Sequence, residues 1–371
     1  MSDVRSPWVY IILVNWNSWK DTIECLESVY RSEYPDYKVV VCDNNSQDGS
    51  MDFIKSWASG ELDIWIPSNN SLRDLTFPPV AKPIRYIEYN YVSGEVFSKS
   101  DDDLSELILI QSGSNLGFAG GNNVGTKYAL SQGEFNCIWF LNNDTVIKPD
   151  ALSQLIKRIE DEPTAGICGS RIYDYNNPSK IQALGGAKYN KYSSTCSHIK
   201  PLAEANHPLD ISALESQMDY IVGASMLVTN TLVKDVGLMC EDYFLFFEEF
   251  DLAIRARKMK FSLGFANNSV IYHKGGVSTG SSYHAASFSY SADYWINRSR
   301  LLFVKKHYPY LIPFLYLRFL AAIFNRINRK QFDRIPMILS LMINNFPILV
   351  SQNLTPKNNT SPRYKVNNSK A

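Results

Sequence analysis

Over the first 150 residues, short apolar runs alternate with amphipathic helical stretches. Residues 9–14 read as a buried strand and 19–30 as a helix. A second strand over 38–42 runs into the polar turn Asp43-Asn44-Asn45-Ser46-Gln47-Asp48-Gly49-Ser50, and a second helix follows over 51–58. After a long interruption come a strand over 107–111, a glycine- and asparagine-rich loop and a helix over 123–131. A strand over 137–141 and a helix starting near Pro149 or Asp150 complete the series. This alternation predicts an α/β fold with a mainly parallel central sheet and helices on both faces. In such sheets ligands lie beyond the carboxyl ends of the strands, where these polar loops fall.

Residues 59–106 break the rhythm with Pro67, Pro78, Pro79 and Pro83 and the acidic run Asp101-Asp102-Asp103, and 84–92 predicts an edge hairpin. Further on, an apolar strand over 220–228 precedes an aromatic segment over 243–247, a helix from about Glu248 to Lys260 and a strand ending over 270–273. Beyond Tyr294 the chain turns helical, basic and aromatic. The expected organisation is a main body over 1–297 with 59–106 inserted in it, a helical basic amphipathic extension over 298–350, and a disordered polar tail over 351–371.

Composition sharpens this division. With 371 residues, 45% of them hydrophobic and 20% charged, the chain has enough apolar mass for a full core and is not of the disordered class. Its 37 basic and 37 acidic side chains cancel, which argues against nucleic acid as a partner. The balance hides an asymmetry: from Arg298 onward there are 13 Lys and Arg against a single acidic residue, Asp333, so a basic end follows an acidic body. Six dispersed cysteines without a CxxC pair predict buried or half-buried free thiols. The start of the chain has no basic n-region, and its apolar run is too short for a signal peptide, so the expected location is cytoplasmic. Apolar stretches over 311–324 and 335–350 fall short of the ~20 clean residues of a spanning helix.

Several loops carry chemistry. Asp43, at the exit of the second strand, can accept the imide N–H of a pyrimidine or a ribose hydroxyl, or, with Asp48, simply cap the next helix. Residues 115–123, Asn-Leu-Gly-Phe-Ala-Gly-Gly-Asn-Asn, open a helix, and the glycines would let backbone N–H groups approach an anion. They fit neither GxGxxG nor a Walker loop. Asp144, in Leu141-Asn142-Asn143-Asp144, offers a hard oxygen ligand to Mg²⁺ or Mn²⁺, or belongs to an ordinary turn. Within Phe246-Phe247-Glu248-Glu249-Phe250-Asp251, Asp251 and Arg255 are expected to pair on the helix surface. Glu249, beside apolar rings, is the candidate base. His273 ends a strand before the segment Lys274-Gly275-Gly276-Val277-Ser278-Thr279-Gly280, and no HxxxH spacing suggests zinc.

In this order, the motifs resemble those of the inverting, GT-A-fold glycosyltransferases of family 2, in particular the bacterial rhamnosyltransferase-like branch that builds surface polysaccharides. Val14-Asn15-Trp16-Asn17, the turn over 43–50, the stretch 115–123, Leu141-Asn142-Asn143-Asp144-Thr145, Phe247-Glu248-Glu249-Phe250-Asp251-Leu252 with Arg255, and His273 carry the likeness. The resemblance implies transfer of a sugar, rhamnose among the candidates, from a dTDP- or UDP-sugar donor to a hydroxyl of a glycan or lipid-linked glycan acceptor. It implies Asp43 at the base, with Asn17, Asn115, Gly117, Gly120, Asn122, Asn123 and Asn143 lining the nucleotide. Asp144 and His273 would bind Mg²⁺ or Mn²⁺, with Glu249 as base and Glu248 as the alternative. Arg298, Phe246 and Phe247 would border the diphosphate and acceptor. The chain departs from the pattern in having Asn142 at the first DXD position, Glu249 where Asp is usual, and Ser299 after Arg298. A sugar-nucleotide nucleotidyltransferase and a catalytically silent scaffold are the competing classes. For the basic extension, a cap on the body, a homodimer contact and peripheral docking on an anionic membrane at its inner face are all open.

Overall fold

The computed structural model describes residues 7–64, 66–92, 97, 105–199, 209–275 and 289–344. The acidic run 101–103, residues 276–280 after His273, the end of the extension over 345–350 and the tail 351–371 lie outside them. The first half of the chain follows the expected alternation through β1 (Val9–Asn15), α1 (Trp19–Val29), β2 (Tyr37–Asp43), α2 (Ser50–Ser59), β3 (Tyr86–Asn90), β4 (Leu107–Gln111), α3 (Gly117–Gln132), β5 (Cys137–Leu141), β6 (Thr145–Ile147) and α4 (Ala151–Asp161). The second half contains β7 (Ala165–Asp174), β8 (Ile181–Leu184), β9 (Gly186–Asn190), β10 (Thr195–His198), α5 (Ile211–Glu215), β11 (Tyr220–Ile221), β12 (Ser225–Thr229), α6 (Asn230–Val236), α7 (Glu248–Lys258) and β13 (Ser262–His273). Three helices close the described chain: α8 (Tyr290–His307), α9 (Ile312–Asn328) and α10 (Ile335–Asn344).

The main sheet runs β3-β4-β2-β1-β5-β12-β7-β13-β6, with β8 paired to β7. Its first five strands are all parallel, as the alternation predicts; β12 enters antiparallel between β5 and β7. Both faces of these strands are buried, and period-two alternation divides their side chains between two cores. Val9, Ile11 and Leu13 face α1, α2 and α4, whereas Tyr10 and Ile12 face α3 and α7. Trp139 and Phe140 of β5 split in the same way. A small antiparallel sheet, β10-β9-β11, stands apart from the large one.

Four expectations are corrected. The segment 84–92 is no hairpin: β3 is an edge strand parallel to β4. The strand expected over 220–228 is broken at Val222–Ala224, where Gly223 lets the chain pass from the small sheet to the large one. The loop expected over 115–122 is mostly helix, because α3 already begins at Gly117. A boundary at 297/298 would fall inside α8, which is a continuous helix packed on the body.

Candidate active site

The carboxyl ends of β1, β2 and β5 meet in a buried polar network. Asn15 donates from Nδ2 to Asp43 Oδ1 (2.7 Å) and accepts from Thr22 Oγ1 (2.7 Å), which in turn accepts from Asn143 Nδ2 (2.9 Å). Asp43 is fully buried and also accepts from the Ser46 hydroxyl and backbone N–H at 2.6 and 2.9 Å. Here Asp43 holds the turn, while Asp48 accepts from Ser50 at the start of α2. Asn17 sits on the exposed side of the same turn with φ 51°, and its Oδ1 accepts the Gln47 N–H (2.7 Å).

The glycines expected to cradle an anion serve packing instead. A Cβ on Gly117 would lie 2.2 Å from the Phe244 carbonyl oxygen, and one on Gly121 would lie 2.8 Å from Val14. Likewise Gly120 is pressed on Leu116 of its own turn. Asn115 accepts the Gly117 N–H, and Asn122 donates to the Phe118 carbonyl. Asn123, fully buried, binds Met239 in both directions and donates to Glu241. Asn122 and Asn123 therefore hold α3 and the segment before α7 in place.

Asp144 and His273 converge, as the motif order implies. They come from β5–β6 and the end of β13, paired antiparallel at Thr145 and His273, and bring His273 Nε2 to 3.1 Å from Asp144 Oδ1. Burial pushes the Asp144 carboxyl up, but His273 and Lys274 outweigh it and hold the group below its ordinary range. On its far side, His273 Nδ1 lies 2.7 Å from Gln182 Oε1. The Gln182 oxygen can only accept, so the Nδ1 N–H donates to it and Nε2 is the ring nitrogen that faces Asp144. Asn142 adds a buried side-chain oxygen without a partner, and its amide nitrogen lies 3.3 Å from His273 Nε2.

Among the described residues no three His, Cys, Asp or Glu side chains form a self-sufficient metal site. One carboxylate, one imidazole nitrogen and a neighbouring amide oxygen do fit Mg²⁺ or Mn²⁺ when a substrate diphosphate and water complete the oxygen shell. Lys274 follows directly; its Nζ bonds Asp21 (2.6 Å) and Glu24, fixing the strand end that bears His273. Gln182, Lys274, Asp21 and Glu24 belong to no motif, and nothing in their spacing marks them.

Glu248 and Glu249 open α7 after a strained approach. Phe244, Phe246 and Phe247 all have φ between 64° and 73°, unusual for bulky side chains. Ser299 Oγ, from α8, holds the bend at the carbonyls of Tyr243 (2.9 Å) and Leu245 (2.8 Å), and Trp295 stacks on Phe244 at 4.1 Å. Phe247 is a core residue against Phe303, and Phe246 is half-buried beside it. Arg298 donates to the Asp242 carbonyl (2.6 Å) and lies over the Trp295 ring.

Burial raises the Glu249 carboxyl to about 7, against the opposing pull of its own N–H and that of Gly223. Glu248 is fully buried, with Oε2 lacking a partner; burial first and the Glu249 charge second push it well above the ordinary range. The surface pair expected for Asp251 and Arg255 is instead a buried cluster. Asp251 is fully buried and bonds Arg255 (2.7 Å), Lys306 (2.8 Å) and His307 (2.7 Å).

One short turn joins the two halves of the site. Between β11 and β12, Gly223 N–H reaches the Glu249 carboxylate, and the next residue, Ala224, accepts the Asn142 N–H at 3.1 Å. A Cβ on Gly223 would lie 2.8 Å from Glu249 Oε1, so the carboxylate rests directly on the turn.

Comparisons with known proteins bear on the fold and on the likeness of the chain. The sequence profile for Glycosyl transferase family 2 matches residues 10–69 and 94–207. The low-salt glycan biosynthesis hexosyltransferase Agl10 of Haloferax volcanii is 23% identical over 181 residues, 44% of this chain, and the chain spans half of that relative's length. The fold is similar to that of the mannosyltransferase PcManGT from Pyrobaculum calidifontis, in complex with GDP-Man and Mn²⁺ (TM-score 0.50, 13% identity, 92% of this chain and 88% of that one). It is also similar to GalNAc-T7 with UDP, GalNAc and Mn²⁺ (TM-score 0.52, 12% identity, 82% of this chain and 48% of that one).

Proposed function

We propose, from the match of residues 10–69 and 94–207 to Glycosyl transferase family 2 and from the likeness in fold to PcManGT, that the chain moves one sugar from a nucleoside diphosphate donor to a hydroxyl of a glycan or lipid-linked glycan, with inversion. The observation that carries this reading is the Gly223-Ala224 turn, whose Gly223 N–H reaches the Glu249 carboxylate and whose Ala224 carbonyl binds Asn142, beside the Asp144–His273 pair. Glu249, with its affinity for a proton raised to about 7, takes the proton of the acceptor hydroxyl as that oxygen attacks the anomeric carbon. Asp144 and His273 hold Mg²⁺ or Mn²⁺, which when bound stabilises the negative charge on the leaving diphosphate. Asn17, on the outer side of the turn that Asp43 holds, borders the nucleotide.

GDP-mannose, the sugar nucleotide named for one structural relative, joins dTDP-rhamnose and UDP-sugars as the set to test. A calorimetric or thermal-shift screen of these nucleotide sugars, with and without Mg²⁺ or Mn²⁺, checks the reading, because a tight ligand raises stability by mass action. Metal-dependent binding of one donor, lost in Asp144→Ala, is the expected result. Pyrophosphate release from a sugar phosphate and a nucleoside triphosphate would assign the site to a nucleotidyltransferase instead.

A further inference from the structure

The C-terminal helices contain an apolar surface that the catalytic reading leaves unexplained. Tyr310, Phe314, Leu317, Leu320, Phe324 and Ile327 recur at intervals of three and four, so they form one row along α9 and its lead-in, and each is between 46% and 63% exposed. The opposite side of α9 is occupied: Leu315 and Phe319 pack among Leu301, Val304, Ile338 and Leu341 of α8 and α10. Tyr192, exposed at the tip of the β9–β10 hairpin, meets Phe314 edge-on at 6.2 Å and extends the row toward the body. A contiguous apolar row of this size is an interaction surface.

Its surroundings select the partner. Residues 289–344 contain nine Lys and Arg against Asp293 and Asp333. Lys191 next to Tyr192, with Arg329 and Lys330 at the end of α9, is exposed, whereas Arg318, midway along α9, is half-buried on the side of Tyr189 and Arg300. A second copy of the chain would bring like charge onto like charge, whereas an anionic lipid surface receives both the apolar row and its basic border.

Pro309–Asn328 is long and apolar enough by length and composition to cross a bilayer. It is instead tied sideways to α8, since Arg326 grips Asp293 at 2.7 and 2.8 Å, and α8 is fixed to the body through Ser299 and His307. Crossing would also place Arg318 in hydrocarbon.

We infer that the outer face of α9, together with Tyr192, lies in the headgroup layer of an anionic membrane. The β9–β10 hairpin then connects that surface to the active site: Tyr192 is at its tip, and Cys196 of β10 and Tyr220 of β11 lie in the field of Glu249. An acceptor rooted in lipid would thus present its hydroxyl on the side of the base. That last step rests on the proposed function; the docking does not.

Flotation of the full chain with phosphatidylcholine vesicles, with and without phosphatidylglycerol, is the test. Binding is expected to anionic vesicles only, to be released by high salt, and to fall about tenfold or more in Leu317→Glu/Phe324→Glu and in Arg329→Glu/Lys330→Glu. Both variants should keep the wild-type melting temperature and nucleotide-sugar affinity. The inference is overturned by equal binding to neutral and anionic vesicles, by unchanged binding of both variants, or by absence of vesicle binding in a chain that still binds its donor. Resistance to alkaline extraction would show a spanning helix, and a dimer abolished by Leu317→Glu/Phe324→Glu would show a second copy as the partner; either also overturns it.

Discussion

Gln182 holds His273 by its far edge: the 2.7 Å contact from Gln182 Oε1 to Nδ1 leaves Nε2 turned to Asp144. Outer partners of this kind typically contribute about 10- to 100-fold to metal affinity. Gln182→Leu should therefore weaken Mn²⁺ binding in the presence of a nucleoside diphosphate by about that factor, measured by titration calorimetry or by the Mn²⁺ resonance signal. Gln182→Glu, which keeps an acceptor at Nδ1, should restore most of it. Equal Mn²⁺ affinity in wild type and Gln182→Leu would leave Gln182 with a packing role only.

In its proposed role as base, Glu249 sets the pH profile. Its carboxyl must be ionised to act as base, so kcat/KM should rise with pH through about 7 and level off above it. Glu249→Gln should lower turnover about 10²- to 10⁴-fold while donor affinity stays near wild type. Ionisation of this half-buried group also opposes folding. Its folded-state pKa is raised, so the stability it contributes is complete below the ordinary carboxylate range and fades as pH rises through about 7. A thermal-shift series across this window in wild type and Glu249→Gln isolates that contribution.

Gly223→Ala separates position from fold. The new methyl would meet Glu249 Oε1 at 2.8 Å, and the far end of a glutamate can swing aside without disturbing the backbone. Stability should change little, whereas displacement of the base by about 1 Å can cost about 10²-fold in turnover. Steady-state kinetics should show the loss in kcat rather than in donor KM.

Asp251 is expected to matter for folding. Burial alone would raise its carboxyl, but His307, Lys306 and Arg255 hold it well below the ordinary range. Asp251→Asn leaves half-exposed Lys306 and partly buried Arg255 without their counter-charge and should cost about 1–3 kcal/mol in denaturant unfolding. The depressed pKa means that this contribution is present at neutral pH and is lost as pH falls below the ordinary carboxylate range.

What could be read from the chain was what repeats at short range. Apolar runs gave the strands of the parallel half, polar residues at strand exits pointed to Asp144 and His273, and a carboxylate beside aromatic residues at a helix start pointed to Glu249. Helix α3 was misjudged at its start because glycine is a poor helix former, and its glycines are required by distant neighbours: a Cβ on Gly125 would lie 2.7 Å from Ile12. Asp251 looked like a surface residue because Lys306 and His307, which bury it, are more than 50 positions away. Gln182, Gly223 and Ser299 carry no local signal, since each acts only through a partner that the fold delivers.

The bend before α7 has a consequence for how this enzyme can be dissected or recombined. The family profile ends at residue 207, yet the strained Phe244–Phe247 segment that aims Glu249 is clamped by Ser299 and Trp295. A chimera spliced at the profile's edge would inherit the donor-side loops and lose the hand that sets the base. On the proposed mechanism the smallest portable module therefore runs through the end of α8, and a helix that looks like an appendage belongs with the body whose bend it clamps.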